Sequence, residues 1–213
     1  MNSTYSLKPL IKRAFWSGMV LACAFSFLGW ADDLAGIKAK VAFVNSIQAE
    51  FTQEKHLEIL NTPLISKGML YFQVPASLRW EYTGPVRNVL IMTDENIRQF
   101  VQAGGEMVEQ KHQGLEAMRI VLRDICSWIQ GDFKANPDLT ADVRPGRTIV
   151  LTPIEGKAMA RVIQRIELKL TDTPGILASV KIVEGPDSYT VIRFHDTKIN
   201  QPIQNNVFQE LNP

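Results

Sequence analysis

The sequence predicts a mainly β protein of the α+β class: a long antiparallel meander with one helix ahead of it and a second inserted in it. Three observations carry this. Several short segments alternate apolar and polar side chains at the two-residue period of a strand. Gly, Pro, Asn and Asp punctuate them at short intervals. Two other segments space their apolar residues by three and four, which is the helical period.

The elements follow in order. Residues 1–31 read as an export leader. Lys8, Lys12 and Arg13 form a positive start, residues 14–28 are mostly apolar, and Gly29 and Ala31 sit three and one positions before a cut. The apolar run is short for a membrane span of about 20 residues. A second reading takes Val20-Leu-Ala-Cys23 as a lipobox that leaves Cys23 as a lipidated N-terminus; a third keeps the leader as an uncleaved anchor.

Residues 32–54 are expected to form the first helix. Leu34, Ile37, Val41, Val44, Ile47 and Phe51 give one apolar stripe, and Asp32 and Asp33 suit a helix N-terminus. Residues 55–110 read as strands and turns. Along residues 68–82, Leu70, Phe72 and Val74 share one face, while Met69, Tyr71 and Gln73 share the other. Pro75 interrupts the run, and Leu78, Trp80 and Tyr82 resume the apolar face. With apolar residues on both faces, such a sheet must be covered on both. Gly84-Pro85 turns, residues 89–93 form an apolar strand, Asp94-Glu95-Asn96 turns, and residues 97–102 form another strand before the turn at 103–106.

The second helix is expected over residues 114–131. Met118, Val121, Leu122, Ile125, Trp128 and Ile129 make its stripe, and Gly131 is placed to end it. Strands then return from Phe133: 148–152, the strictly alternating 165–171, its hairpin partner 177–183, and 188–194. Asp172-Thr-Pro-Gly175 places Pro and Gly at the centre of a type II turn. The last segment, 200–213, reads as extended.

Removal of the leader leaves 182 residues, enough for one domain with a real core. The leader holds three of the 23 basic residues and none of the 22 acidic ones, so the remainder carries a net charge of −2. That balance gives no support to nucleic-acid binding. Cys126 is then the only cysteine, so no intrachain disulfide forms, and its apolar helical surroundings predict a buried, inert thiol.

Little points to catalysis, and no cofactor or metal is expected. His56, His112 and His195 lie far apart, none in a metal-ligand spacing. His195-Asp196 reads as a solvated strand end, since no nucleophile motif accompanies it. No phosphate loop, dinucleotide fingerprint or nucleophile elbow occurs.

The chain resembles the LolA family of periplasmic lipoprotein carriers. The likeness rests on the order of its parts: a leader, an amphipathic segment ending in Phe51-Thr-Gln53, then Gly68-x-Leu-x-Phe-x-x-Pro75-x-x-Leu78-x-Trp80, then Pro85 and an apolar strand with Thr93-Asp94, and a final Asn200-x-Pro202 to Phe208 segment. It spans most of residues 32–210. The resemblance implies an incomplete, strongly curved antiparallel β-barrel closed by a helical lid, with an apolar cavity for acyl chains. It implies a monomeric periplasmic carrier that is loaded by an inner-membrane ABC transporter and unloads to an outer-membrane lipoprotein receptor.

Carried over position by position, the resemblance implies that Leu70, Phe72, Val74, Leu78 and Trp80 face the cavity, with Ile91 and Phe100 as further members. Leu34, Ile37 and Val41, and Met118, Val121, Leu122 and Ile125, are suitable lids for such a cavity; plain core packing is the alternative reading of both stripes. One departure stands out. Characterised carriers have a basic residue directly before the motif's Pro, which latches the lid; here that residue is Val74. Two rival readings remain open: a receptor of the same fold tethered through Cys23, and an exported sensor or scaffold that uses the sheet to bind a protein.

Overall fold

In a computed structural model of the protein, residues 34–94, 96–111, 114–173, 176–209 and 211 are described. The leader with its cut site and Cys23, Asp32 and Asp33, Glu95, His112 and the Pro174-Gly175 turn centre lie outside them.

Two eleven-residue strands, β1 (Ser46–His56) and β11 (Tyr189–Ile199), pair antiparallel at the middle of the sheet. From β1 the meander runs outward through β2 (Leu64–Gln73), β3 (Ser77–Gly84), β4 (Asn88–Thr93), β5 (Asn96–Ala103) and β6 (Glu106–Gln110). On the other side β7 (Leu139–Arg144), β8 (Thr148–Pro153), β9 (Arg165–Leu170) and β10 (Leu177–Val183) run inward to β11. The spatial order is β6-β5-β4-β3-β2-β1-β11-β10-β9-β8-β7. The result is a mainly β protein with an open, curved eleven-stranded sheet and, among the described residues, two α-helices, α1 (Leu34–Val41) and α2 (Gly114–Ile129).

The expected long first helix is corrected. It stops at Val41, and residues from Ser46 onward form β1. The pattern fits both periods: Ile47 and Phe51 are four apart, but Ile47, Ala49 and Phe51 also alternate. Pairing with β2 and β11 selects the strand, and all three residues are buried on one face. Asn200 secures the entry to β1. Its Oδ1 accepts from the Asn45 and Ser46 backbone N–H groups at 2.7 and 3.3 Å, and its Nδ2 donates to Phe43 O at 2.9 Å.

Both sheet faces are apolar, and both are covered. The inner face holds the main core, with Phe51, Leu70, Phe72, Leu78, Trp80, Leu90 and Met92 from one half and Ile149, Leu151, Ile166, Leu168 and Ile192 from the other. Gly68 makes room here: a β-carbon would meet Glu81 O at 2.0 Å and the Phe51 ring at 2.4 Å. Phe51 stacks tilted on Trp80, ring centroids 4.5 Å apart, and meets Tyr82 edge-on at 5.4 Å.

The outer face carries Val89, Ile91 and Phe100, which pack against Phe208, Ile203 and Leu211 of the C-terminal segment. Beneath that segment Arg79 is fully buried. It pairs with Glu81 at 2.7 Å and donates to Val207 O and Leu211 O at 3.1 and 2.9 Å; Arg87 also reaches Glu81 and Leu211 O. A guanidinium stripped of water needs such a full set of acceptors.

Helix α2 runs along the inner face. It ends at Gly131, whose φ of +72° suits glycine and whose missing side chain lets Val41 and Lys38 of α1 approach closely. Lys38 pairs with Asp132 at 2.8 Å across the same joint.

Candidate functional site

Helix α2 does not fill the concave face. A cavity of about 520 Å³ remains between the helix and the sheet, inside the roughly 300–1,000 Å³ range of small-molecule sites. Its floor comes from inward side chains of neighbouring strands: Ile47 and Ala49 of β1, Leu70 of β2, Trp80 of β3 and Leu90 of β4. Val180 and Ile182 of β10 and Ile192 and Phe194 of β11 build the opposite wall. Met118, Val121, Leu122 and Ile125 form the roof, along with Trp128 and Ile129. The helical period thus turns one face of α2 onto the cavity.

Polar groups occupy one end. Gln53 and Lys55 continue the inward row of β1, and Tyr82 continues that of β3. The Tyr82 hydroxyl donates to Gln53 Oε1 at 3.0 Å, and Lys55 lies 3.7 Å from Glu184. Burial pushes the Tyr82 hydroxyl pKa up, against the lowering influence of Trp80 and Gln53. Trp80 Nε1 is buried close to that hydroxyl but not in good hydrogen-bond geometry with it.

One carboxylate sits in the roof. Asp124 of α2 is buried beside the cavity and accepts from Asn136 Nδ2 at 2.8 Å. Burial raises its pKa, while the Asn136 bond and the nearby Arg123 pull it down.

The structure sorts the expected cavity residues. Leu70 and Trp80 line the cavity. Phe72 and Leu78 face the same way but are fully buried in packed core and do not reach it; Val74 is half-buried against that core. Ile91 and Phe100 lie on the other face. Register decides this: Trp80 pairs with Leu90 and Leu78 with Met92, so Leu90 and Met92 point inward and Ile91 outward. Phe100 pairs with the outward Val89.

Of the expected lids, Met118, Val121, Leu122 and Ile125 all border the cavity. Leu34, Ile37 and Val41 do not. Ile37 and Val41 are buried in the core where α1 docks beside Gly131, and Leu34 packs partly buried against it. Sequence reading missed the wall from β9 to β11 and the polar end at Gln53 and Tyr82. The alternation of residues 177–183 was the available signal for the wall.

The remaining candidates are quieter. Glu50, His195 and Asp196 bring ligand atoms within 4.8 Å of one another, but all three are exposed and His195 Nε2 contacts Thr52 Oγ1 at 3.2 Å. His56 stacks on Tyr189 instead. Cys126 is buried, and burial pushes its thiol up to about 12, which keeps it protonated and unreactive near neutral pH. Among the described residues no helix is long and apolar enough to cross a membrane.

Residues 42–210 match the family model described as outer membrane lipoprotein carrier protein LolA. The chain belongs to the LolA family. The match takes in all eleven strands and α2, and leaves α1 outside. No curated protein matches the sequence. Among solved structures, the chain is similar to an uncharacterized conserved protein from Thermus thermophilus, at 11% identity and a TM-score of 0.49, over 83% of this chain and 92% of that one. It is also similar to a LolA superfamily protein from Nitrosomonas europaea, at 10% identity and a TM-score of 0.40, over 83% and 97%. A DUF1329 family protein from Desulfovibrio piger gives 11% and 0.46, over 84% and 95%.

Proposed function

We propose that this LolA-family protein is a periplasmic carrier, residues 32–213 forming the working domain after removal of a leader. It takes the acyl chains of a lipoprotein, or of a related lipid, into the cavity under α2 and passes them towards the outer membrane. An inner-membrane ABC transporter is the donor in this reading, and an outer-membrane lipoprotein receptor the acceptor.

The observation that carries the reading is the cavity itself. A packed core leaves few voids larger than a water, yet here a helix with an apolar stripe spans an apolar hollow of about 520 Å³. Each buried methylene of a chain contributes about 0.8 kcal/mol, so such a hollow suits aliphatic cargo. At the polar end, the link between β1 and β2 exposes Ile59, and Leu64 and Ile65 follow it on β2. An exposed apolar rim of this kind suits handover to a second hydrophobic surface.

The test is native mass spectrometry of the protein from its own host, beside titration with an apolar fluorophore. Ile182→Trp puts an indole into the cavity from a half-buried strand position. The wild type should carry lipid and bind the dye. The variant should lose both while its circular dichroism and melting temperature stay close to wild type. A wild-type protein that binds neither dye nor lipid rejects the carrier reading.

A further inference from the structure

We infer that Gln53, held by Tyr82, reads the carbonyl at the polar end of the bound acyl chain, so that cargo enters in one orientation. The inference rests on the carrier reading above and deepens it.

The inward row of β1 runs Ile47, Ala49, Phe51, Gln53, Lys55. Polarity therefore changes along one strand, from aliphatic to amide to ammonium. The neighbouring strands keep step: Leu70 stands opposite Ala49 and Ser66 opposite Gln53, while Ile182 and Thr190 lie opposite one another on β10 and β11. Lys55 and Glu184 close this end as a balanced pair, so it shows no preference for an anion.

Gln53 lies between the two regimes, half-buried at the cavity surface. Tyr82 donates to its Oε1, and that bond fixes the amide with Nε2 as a donor. Among the described residues Nε2 has no hydrogen-bond acceptor. Desolvating an amide donor without a partner is costly. An alkyl chain offers no acceptor, whereas the ester, amide or acid carbonyl at its end does. A chain lying towards Ile47, Leu70 and Leu90 brings that carbonyl to Gln53 and leaves its head group at Lys55 and Glu184.

Displacement of a bound apolar fluorophore by methyl laurate, lauric acid and tridecane tests this. These probes share a similar chain length and differ in the carbonyl and its charge. Wild type should prefer methyl laurate to tridecane by about threefold to tenfold, the range of one net hydrogen bond. Gln53→Leu should abolish the preference, read as the ratio of ester to alkane displacement within the variant, and Tyr82→Phe should reduce it. Lauric acid should follow methyl laurate; a strong preference for the acid alone would mean that Lys55 reads a carboxylate and would overturn the assignment to Gln53. Equal displacement by ester and alkane, or a Gln53→Leu protein that keeps the preference, overturns the inference and leaves the carrier reading intact. Failure of the fluorophore to bind wild type rejects both.

Discussion

The side-chain amide of Gln130, just past the end of α2, donates to the carbonyl oxygen of Pro75 at 3.2 Å, and also to Cys126 O at 3.2 Å. The bond ties the roof helix to the turn between β2 and β3. It falls one residue beyond Val74, where the LolA resemblance implies a basic latch. Under the carrier reading this neutral amide would take the fastening role that Val74 cannot.

Gln130→Ala should loosen α2. A neutral hydrogen bond contributes about 1 kcal/mol net, so if part of the binding free energy goes into opening the roof, dye affinity should rise about fivefold. Fluorescence titration of the two proteins checks this. An unchanged dissociation constant in a folded variant would mean that apolar packing alone holds the roof.

Arg79 fastens the outer face. Arg79→Met keeps much of the volume but removes the polar contacts to Glu81, Val207 and Leu211. Breaking a buried ion pair costs about 3–5 kcal/mol. Arg87 still compensates Glu81, so the lower end applies, and the melting temperature should fall by about 6–12 °C at about 2–4 °C per kcal/mol. Dye binding measured below that transition should persist, because the lesion lies on the face away from the cavity. Loss of dye binding with the fold intact would show that the two faces are coupled.

Asp124 makes stability depend on pH in a direction opposite to a salt-bridged carboxylate. Its folded pKa is raised by burial, so the folded state holds the proton more tightly than the unfolded chain does. Below the ordinary carboxylate range both states are protonated and nothing is lost. As pH rises through that range the unfolded chain ionises first, and stability drains until the folded group ionises too. Asp124→Asn should therefore raise the melting temperature at pH 7 and leave it nearly unchanged at pH 3, since the substituted amide keeps a carbonyl oxygen that can accept from Asn136. A variant less stable than wild type at pH 7 would show that the carboxylate is a net stabiliser.

Much of the sheet was legible because its hairpins carry local signals. Residues 177–183 form β10 as expected, and 165–170 form β9, since strict alternation and turn residues act within a few positions of each other. Gly131 ends α2 for an equally local reason. The misreadings share a different cause. Ile47 and Phe51 satisfy helix and strand periods alike, and only pairing with β2 and β11 separates them. The apolar run of β4 has no polar side to mark its face, so Ile91 could be placed only through the register of Leu78 and Trp80. Phe72 and Leu78 face inward but lie in packed core: whether an inward residue touches core or cavity depends on where α2 comes to rest. The polar end was invisible because Gln53 and Tyr82 lie 29 residues apart.

The two edges of the sheet, β6 and β7, are joined in sequence by α2. A closed barrel has a bore set by its strand number and shear. This one has a seam, and the roof helix is its covalent hinge strap. Because β6 and β7 do not pair with each other, spreading the seam breaks no ladder hydrogen bond between them, and under the carrier reading the hollow would swell in small steps as bulkier cargo enters. Because the strap is the roof, the same movement that widens the hollow shifts its cover. Under the carrier reading, capacity and access form a single mechanical coordinate, and a receptor gripping either edge would empty the cavity without touching what it holds.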